Sequence, residues 1–500
     1  MNGKKVAWGL LMAATAMSAP VMAQAKTTSH EAQLEERIRK LEAEISAMHQ
    51  EMTAARAGQG AAAAPQASAQ AAAEAASAQA AADQARQVAD AAKAESHETA
   101  AKVEALSKPK QGFLSGNSNV VLSGYIKLLA SSARYSGGDD PTNTLGRDLY
   151  LPQSVPVYNP ASPTSPTRVT DMSAKQTRFW VDANTKLGQH NLKAYIEFDF
   201  QAAPGTPMAL GQGTQRTTNA YDLAMRRAFI QFDRWTFGQD FTNFSVVDVL
   251  PESTDYVGGV DGLIFVRQPQ LRYALPLGKE VKLHLAVENP ETASSTQGSA
   301  SLIENGEDHA PDFTARLAYI SKFGQLDLSG LFRELRVDNA KAGAAHVVDS
   351  RFGWGTSVAG KIFLNAKHTS DIRFEATYGE GVGRYLGLNF SPDAVLTTAG
   401  QLSNVRNLGV FGTGHIALTD KWRINVIGSY QRVYYASDID HSDAGVGKYN
   451  EKAWSVAGNL FYSPVKNIDL GVEYRHGHRD LVDGLNGAVD RMDFAAKYSF

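Results

Sequence analysis

Arginines spread through the last two-thirds of the chain are the residues best suited to do chemistry. Eight of them fall on the polar face of segments in which polar and apolar residues alternate. Arginine binds carboxylates in a planar, bidentate way, so a group on one face would favour small anions, above all those with two carboxylates. Taken singly, each is more simply explained as a paired, solvated charge. The eight are Arg178, Arg227, Arg272, Arg316, Arg333, Arg373, Arg423 and Arg475.

An acidic stretch over residues 242–266 could oppose these arginines. It carries Asp248, Glu252, Asp255 and Asp261 and contains the apolar run "VVDVL". The apolar run favours burial inside a lumen over the alternative of an ordinary external loop. Folded inward, the carboxylates would face the arginines and create a transverse field across a constriction.

Other chemistry has weaker support. His476 and His478 share one strand face, but we find no third metal ligand at suitable spacing. No arrangement of nucleophile and base stands out, so we predict no catalytic residue, metal or cofactor. An enzyme with its nucleophile at a barrel rim stays open as an alternative. With 49 basic and 52 acidic residues, nothing indicates a nucleic-acid binder, and the lack of cysteine excludes a disulfide framework.

The elements that must position these residues are strands. From Asn119 onward the chain repeats about ten residues of alternation and then a break, which gives about sixteen strands. Seven short turns alternate with eight longer gaps, the last of them at 480–489. Tight turns on one side, long loops on the other and an even strand number are typical of transmembrane barrels. We predict an all-β fold, a 16-stranded antiparallel transmembrane β-barrel over residues 119–500, rather than β-sandwiches.

Aromatic residues support the barrel over the sandwich. Seven of them fall where the strands meet the short turns, on the apolar face, which predicts a girdle in contact with outer-membrane lipid. The terminal aromatic residue would anchor the closing strand at this level. They are Trp235, Tyr273, Tyr319, Trp422, Tyr462, Tyr498 and Phe500.

The N-terminal part has three predicted segments. Residues 1–23 have a basic start, a short apolar stretch and small residues near a cleavage site, as in a signal peptide. Residues 24–60 contain an a/d seam from Leu34 to Ala55, which predicts an α-helical coiled coil with a nominal preference for two strands. Residues 61–118 form an alanine-rich spacer. We expect an exported chain whose barrel lies in the outer membrane of a Gram-negative bacterium and whose tail lies in the periplasm.

Three stretches resemble a known family. "LPESTDYVGG", "FVRQPQLRYALP" and "YGEGVGRYLG", with a heptad-plus-alanine tail ahead of them, are similar to the DcaP-like trimeric porins of Gram-negative outer membranes. The resemblance covers the region from about Asn119 to Phe500. It implies a homotrimer, uptake of dicarboxylates and related small anions, and a place for "PESTDY" in the constriction loop.

Together these features predict a passive outer-membrane porin that favours small anionic solutes such as dicarboxylates. Its lumen would be lined by arginine and narrowed by loop 242–266. A general or sugar-preferring porin is an alternative within the same class. A different alternative is a structural envelope tether, in which the tail binds peptidoglycan or periplasmic proteins and the barrel is only an anchor.

Overall fold

The computed structural model describes residues 113–115, 118–142, 145–201, 221–338 and 346–500. The predicted signal peptide, the coiled coil and nearly all of the spacer lie outside these residues. Among the described residues, no helix has the length and apolarity required to cross a bilayer. Helical structure there consists of short turns: α1 (Leu145–Asp148), α2 (Ala444–Gly447) and 3-10 turns at Pro152–Ser154, Val247–Val249 and Gly383–Tyr385.

Sixteen antiparallel strands form a closed barrel, which confirms the predicted fold. Closure is made by β1, which pairs with β16 along one edge and with β2 along the other. Short segments at Phe113–Ser115 and Thr167–Ser173 add pairings to β1. The strands are β1 (Ser118–Tyr135), β2 (Arg178–Leu187), β3 (His190–Asp199), β4 (Ala224–Phe232), β5 (Trp235–Phe241), β6 (Arg267–Pro276), β7 (Val281–Glu288), β8 (Asp312–Ser321), β9 (Gly324–Asp338), β10 (Val348–Phe363), β11 (Asp371–Glu380), β12 (Arg406–Ala417), β13 (Trp422–Tyr434), β14 (Asn450–Tyr462), β15 (Ile468–Leu481) and β16 (Asn486–Ser499).

The alternation in the sequence separates an apolar outer face from a polar lumen. On β9, Leu326, Leu328 and Phe332 point outward and are each about half exposed, whereas Asp327 between them is fully buried. Successive strand residues point to opposite faces, so a period of two produces this division directly. A closed ladder also leaves no unpaired strand edge, which a backbone in lipid requires.

The two ends of the barrel differ. Seven short turns join the hairpins at one end, here called the turn side, and the remaining connections lie at the other end, the loop side. One predicted long gap is wrong: residues 482–485 form a four-residue turn, because β15 and β16 continue their pairing as far as Asp480 and Asn486. Two loop-side connections form a small sheet from Ala293–Thr296, Ser299–Glu304, Ala394–Leu396 and Leu402–Asn404.

The C-terminal residue belongs to the barrel ladder. The amide of Phe500 donates to the carbonyl of Gly124 at 2.9 Å, and the amide of Gly124 donates to the carbonyl of Phe500 at 3.1 Å. The Phe500 side chain is about half exposed on the outer face, with the ring of Tyr498 6.4 Å away. The strand can run to the final carboxylate because both backbone groups of its last residue are paired.

Candidate functional site in the lumen

Residues 242–266, here called loop 3, lie inside the barrel. Glu252 accepts hydrogen bonds from Arg423 at 2.9 Å and from Asn425 at 3.1 Å, both on β13. The next residue, Ser253, donates to Glu473 on β15 at 2.7 Å. Loop 3 leaves the wall after β5 and returns at β6, so these contacts carry it across the lumen to the far wall.

Asp261 is the most enclosed attachment point of loop 3. Its carboxylate accepts hydrogen bonds from Tyr150 at 2.9 Å, from Ser429 at 2.7 Å and from Ser455 at 2.5 Å. Burial raises the pKa of Asp261 above its ordinary range, although the three hydrogen bonds oppose that change. Tyr150 lies in residues 145–155 of the first loop-side connection, so this connection is bound to loop 3 as well.

Backbone contact also holds loop 3 against the barrel. Gly262 has φ of +74°, and a Cβ atom there would lie 2.5 Å from the Cα atom of Gly409 on β12. The two backbones can approach this closely because Gly262 and Gly409 both lack a side chain. The amide of Gly262 donates to the side chain of Gln431, and the amide of Ile264 donates to Glu375, both at 3.0 Å.

The acidic residues of loop 3 do not face the lumen in the way the sequence predicts. Glu252 and Asp261 are bound to the far wall, and Asp255 accepts a hydrogen bond from the backbone amide of Tyr150 at 2.8 Å. Burial alone would raise the pKa of Glu252, but hydrogen bonds from His415 and Arg423 lower it to about 2. Asp248 is exposed. Three of the four carboxylates therefore do not supply the predicted transverse field, because far-wall side chains pair Glu252 and Asp261 and the first loop-side connection pairs Asp255.

The opposite side of the lumen carries a cluster that we call the arginine wall. Its members on β2–β6 have five positive and three negative charges, which leaves an excess of two positive charges. Arg178 contacts Asp199 at 2.7 Å, and Asp240 lies 2.6 Å from Arg227 and 2.8 Å from Arg272. The Asp182–Lys193 pair lies closer to the turn side. The arginine wall comprises Arg178, Arg226, Arg227, Arg267 and Arg272 with Glu197, Asp199 and Asp240.

Two members of the arginine wall were missed by the sequence analysis. A shift of register between β3 and β4 lets both Arg226 and Arg227 reach lumen carboxylates, at Asp199 and Asp240 respectively. Strict alternation turns one of two adjacent residues outward, so it cannot predict this bulge. Arg267 was missed because alternation places it on the face opposite to Arg272, and the pairing of β5 with β6 has no register shift that would indicate otherwise. The adjacent pair of arginines at 226–227 is the signal that could have indicated a bulge.

Three other predicted arginines lie along the lumen in different roles. Arg316 on β8 lies 3.4 Å from Asp327 on β9. Arg373 on β11 donates to the carbonyl of Leu250 in loop 3 at 2.6 Å. Arg423 binds Glu252, as described above. Arg373 and Arg423 therefore hold loop 3, whereas Arg316 forms an ion pair in the lumen beyond the arginine wall.

Arg333 and Arg475 cannot contact a passing solute in this conformation, which corrects their predicted place on the solute path. The side chain of Arg333 is fully enclosed and lies 3.1 Å from Asp393, a residue of the loop-side connection 381–405. Arg475 is 2% exposed and lies 2.9 Å from Glu473 and beneath the Tyr150 ring. Both side chains point inward, as strand alternation predicts, but loop-side connections that fold into the lumen cover them.

A cavity of about 220 Å³ lies beneath loop 3 toward the turn side. Lys127 at its edge is buried and donates to Gln176 and to the carbonyl of Thr254, each at 2.6 Å. Asp469 and Lys497 also line it and form an ion pair at 2.9 Å, and Glu252 and Asp255 of loop 3 add two carboxylates. With three carboxylates and two lysines, this cavity has no excess of positive charge, in contrast to the arginine wall.

The predicted aromatic residues lie on the outer face at the turn side. Trp235 packs against Tyr273 at 4.6 Å between ring centroids, and the ring of Trp422 stacks on that of Tyr462 at 4.4 Å. Tyr319 is exposed on β8, and the C-terminal pair has been described above.

The two histidines of the sequence analysis point outward on β15. His476 contacts Asp490 at 2.8 Å and His478 contacts Asp480 at 3.3 Å. In the parts of the chain that the structure describes, no group of three possible ligands is arranged to hold a metal ion.

Comparison with known proteins identifies the family. The model of the family described as DcaP outer membrane protein matches residues 151–500. The chain belongs to the DcaP outer membrane protein family. The outer membrane channel DcaP of Acinetobacter baumannii shares the fold, with a TM-score of 0.59 and 23% identity over 78% of this chain and 99% of that one. A search of curated protein sequences finds no match.

More distant solved structures align with this DcaP family member at lower similarity. Outer-membrane expressed OmpT of Vibrio cholerae has a TM-score of 0.46 and 12% identity, covering 78% of this chain and 99% of that chain. The anion-selective porin from Comamonas acidovorans has a TM-score of 0.46 and 10% identity, covering 77% of this chain and 100% of that chain.

Proposed function

We propose that this DcaP family member is a passive channel of the outer membrane that favours small anions, among them dicarboxylates. The observation that carries the proposal is the unequal distribution of charge within the lumen. The arginine wall has an excess of two positive charges, whereas Glu252 and Asp261 of loop 3 are bound to the far wall. An anion that crosses the lumen beside β2–β6 therefore meets uncompensated positive charge.

Passage needs no covalent step and no energy input. A guanidinium replaces part of the hydration shell of a carboxylate, and its existing contacts with Glu197, Asp199 and Asp240 keep the new contact weak. Weak binding is required, because a solute that enters must also leave. A lumen lined by one sign of charge with low-dielectric walls also raises the local concentration of the opposite ion.

Dicarboxylates are proposed because several guanidiniums lie within one patch of the wall. Arg178 and Arg226 both contact Asp199, and Arg227 and Arg272 both contact Asp240. A solute with two carboxylates could contact two arginines at once and gain from both, whereas a solute with one carboxylate could not. Arg316 on β8 offers a further contact nearer the turn side.

The environment of the channel is proposed from its outer surface and its family. The turn-side aromatics would lie at the periplasmic interface, in contact with lipid, and the loop side would face outward. Membership of the DcaP family supports a homotrimer. The N-terminal tail would then extend into the periplasm, where peptidoglycan or periplasmic proteins are its candidate partners.

Recording from the refolded protein in a planar bilayer tests this function. Under a potassium chloride gradient we expect a reversal potential of anionic sign, conductance in steps of three, and interruptions of the current by succinate. Channels that conduct without ion preference and without succinate interruptions would reduce the function to general diffusion. A folded protein that does not conduct would contradict the channel itself and favour the tether.

A further inference from the structure

Arg267, at the loop-side end of β6, packs against two phenylalanine rings. Its guanidinium carbon lies 4.5 Å from the ring centroid of Phe241 and 4.8 Å from that of Phe265. These two rings meet edge to face, 5.4 Å apart, and both are buried. Cation–π contacts with two fixed rings hold the guanidinium in one position.

The Arg267 side chain extends into the lumen beside loop 3. It interacts electrostatically with Tyr256 of that loop and with Arg178, Arg226 and Glu197 of the wall. Tyr256 donates a hydrogen bond to Asp199 at 2.8 Å, and the guanidiniums of Arg178 and Arg226 lie over its ring at 5.0 and 5.5 Å. Arg267 therefore borders a part of the lumen in which three guanidiniums converge.

No carboxylate lies within ion-pair distance of Arg267 among the residues that the structure describes, and Glu197 acts on it only from farther away. Each of the other four arginines of the wall contacts Glu197, Asp199 or Asp240 within 3 Å. The Nε atom of Arg267 is enclosed and has no hydrogen-bond partner, whereas its two terminal nitrogens are not enclosed. Neither terminal nitrogen has a hydrogen-bond acceptor among the described residues, although Arg267 is only partly exposed.

We propose that Arg267 is a binding station for a carboxylate group, and that it distinguishes planar carboxylates from spherical anions such as chloride. The proposal rests on the proposed function, since it assigns one step of anion passage to one residue. A fixed guanidinium presents two parallel donors that match the two oxygens of a carboxylate, and an ammonium group cannot reproduce this fork. The two phenyl rings fix the orientation in advance, which lowers the entropy lost on binding.

Replacement of Arg267 by lysine tests the station while keeping its charge. We expect the reversal potential in potassium chloride to stay close to that of the wild type, and the blocking of current by succinate to weaken by roughly tenfold. The matched control is Arg406→Lys, which changes an exposed arginine that pairs with Glu380 at the loop-side end of β12. The control should leave both measurements unchanged.

A second variant covers the case in which the lysine substitution impairs folding. Phe241→Leu keeps the charge and the fork but removes one of the two rings, so succinate should dissociate faster while chloride selectivity persists. Correct folding is checked by the heat-dependent gel mobility of the barrel. Succinate blocking that is unchanged in both folded variants would overturn the station. A wild-type channel without anion preference would instead contradict the proposed function.

Discussion

Replacing Arg272 by glutamine should lower anion selectivity by an amount that can be worked out from the charges of the arginine wall. The change reduces the excess from two positive charges to one, while Asp240 keeps its contact with Arg227. An ion about 5 Å from one charge interacts with it by about 0.8 kcal/mol in water, and screening at 0.1 M salt reduces this to about 0.5 kcal/mol. Anions lose this attraction and cations lose the same repulsion, so the permeability ratio should fall about fivefold.

Reversal potentials measured under a potassium chloride gradient give this ratio directly. The effect should shrink to less than about twofold near 1 M salt, where the screening length is about 3 Å. Arg406→Gln provides a control in which an arginine is lost from an exposed position outside the wall. A ratio for Arg272→Gln within error of the wild-type value at 0.1 M salt would refute the argument. An equal fall in the control would show that the effect does not depend on position in the lumen.

Two further predictions concern the attachment of loop 3. Asp261→Ala removes the acceptor of three hydroxyl hydrogen bonds and should weaken loop attachment by about 3 kcal/mol. In single-channel recordings the open current should therefore be larger or noisier than that of the control variant Asp261→Asn. Currents identical to those of the wild type would show that Asp261 does not hold the loop. The pKa of Glu252 is lowered to about 2, so its contact with Arg423 should stabilise the barrel fully above about pH 4.5 and lose this effect as the pH falls toward 2. The melting temperature of the wild type minus that of Glu252→Gln should follow this course, and a difference that does not vary between pH 2 and 5 would contradict it.

The barrel could be predicted from local features of the sequence. Alternation with a period of two, as on β9, assigns each residue to the outer or inner face, and the turn residues mark where each strand ends. Both signals extend over only a few residues, so they can be recognised without knowledge of the rest of the chain. The same local reasoning fails at Arg226, where one extra residue in β4 turns two neighbouring side chains to the same face.

The tertiary structure alone decided which charges are left uncompensated in the lumen. Asp261 reaches a serine 194 residues away, and Arg333 on β9 is paired with Asp393 from a loop that lies beyond β10 and β11. Alternation predicts that a side chain points inward, but it contains no information on what lies across the lumen. The sequence by itself determined the closed barrel, the apolar outer face and the polar interior, because these follow from backbone geometry. The pairing of loop carboxylates with the far wall, and hence the free positive charge at Arg267, depends on how distant loops pack inside the barrel.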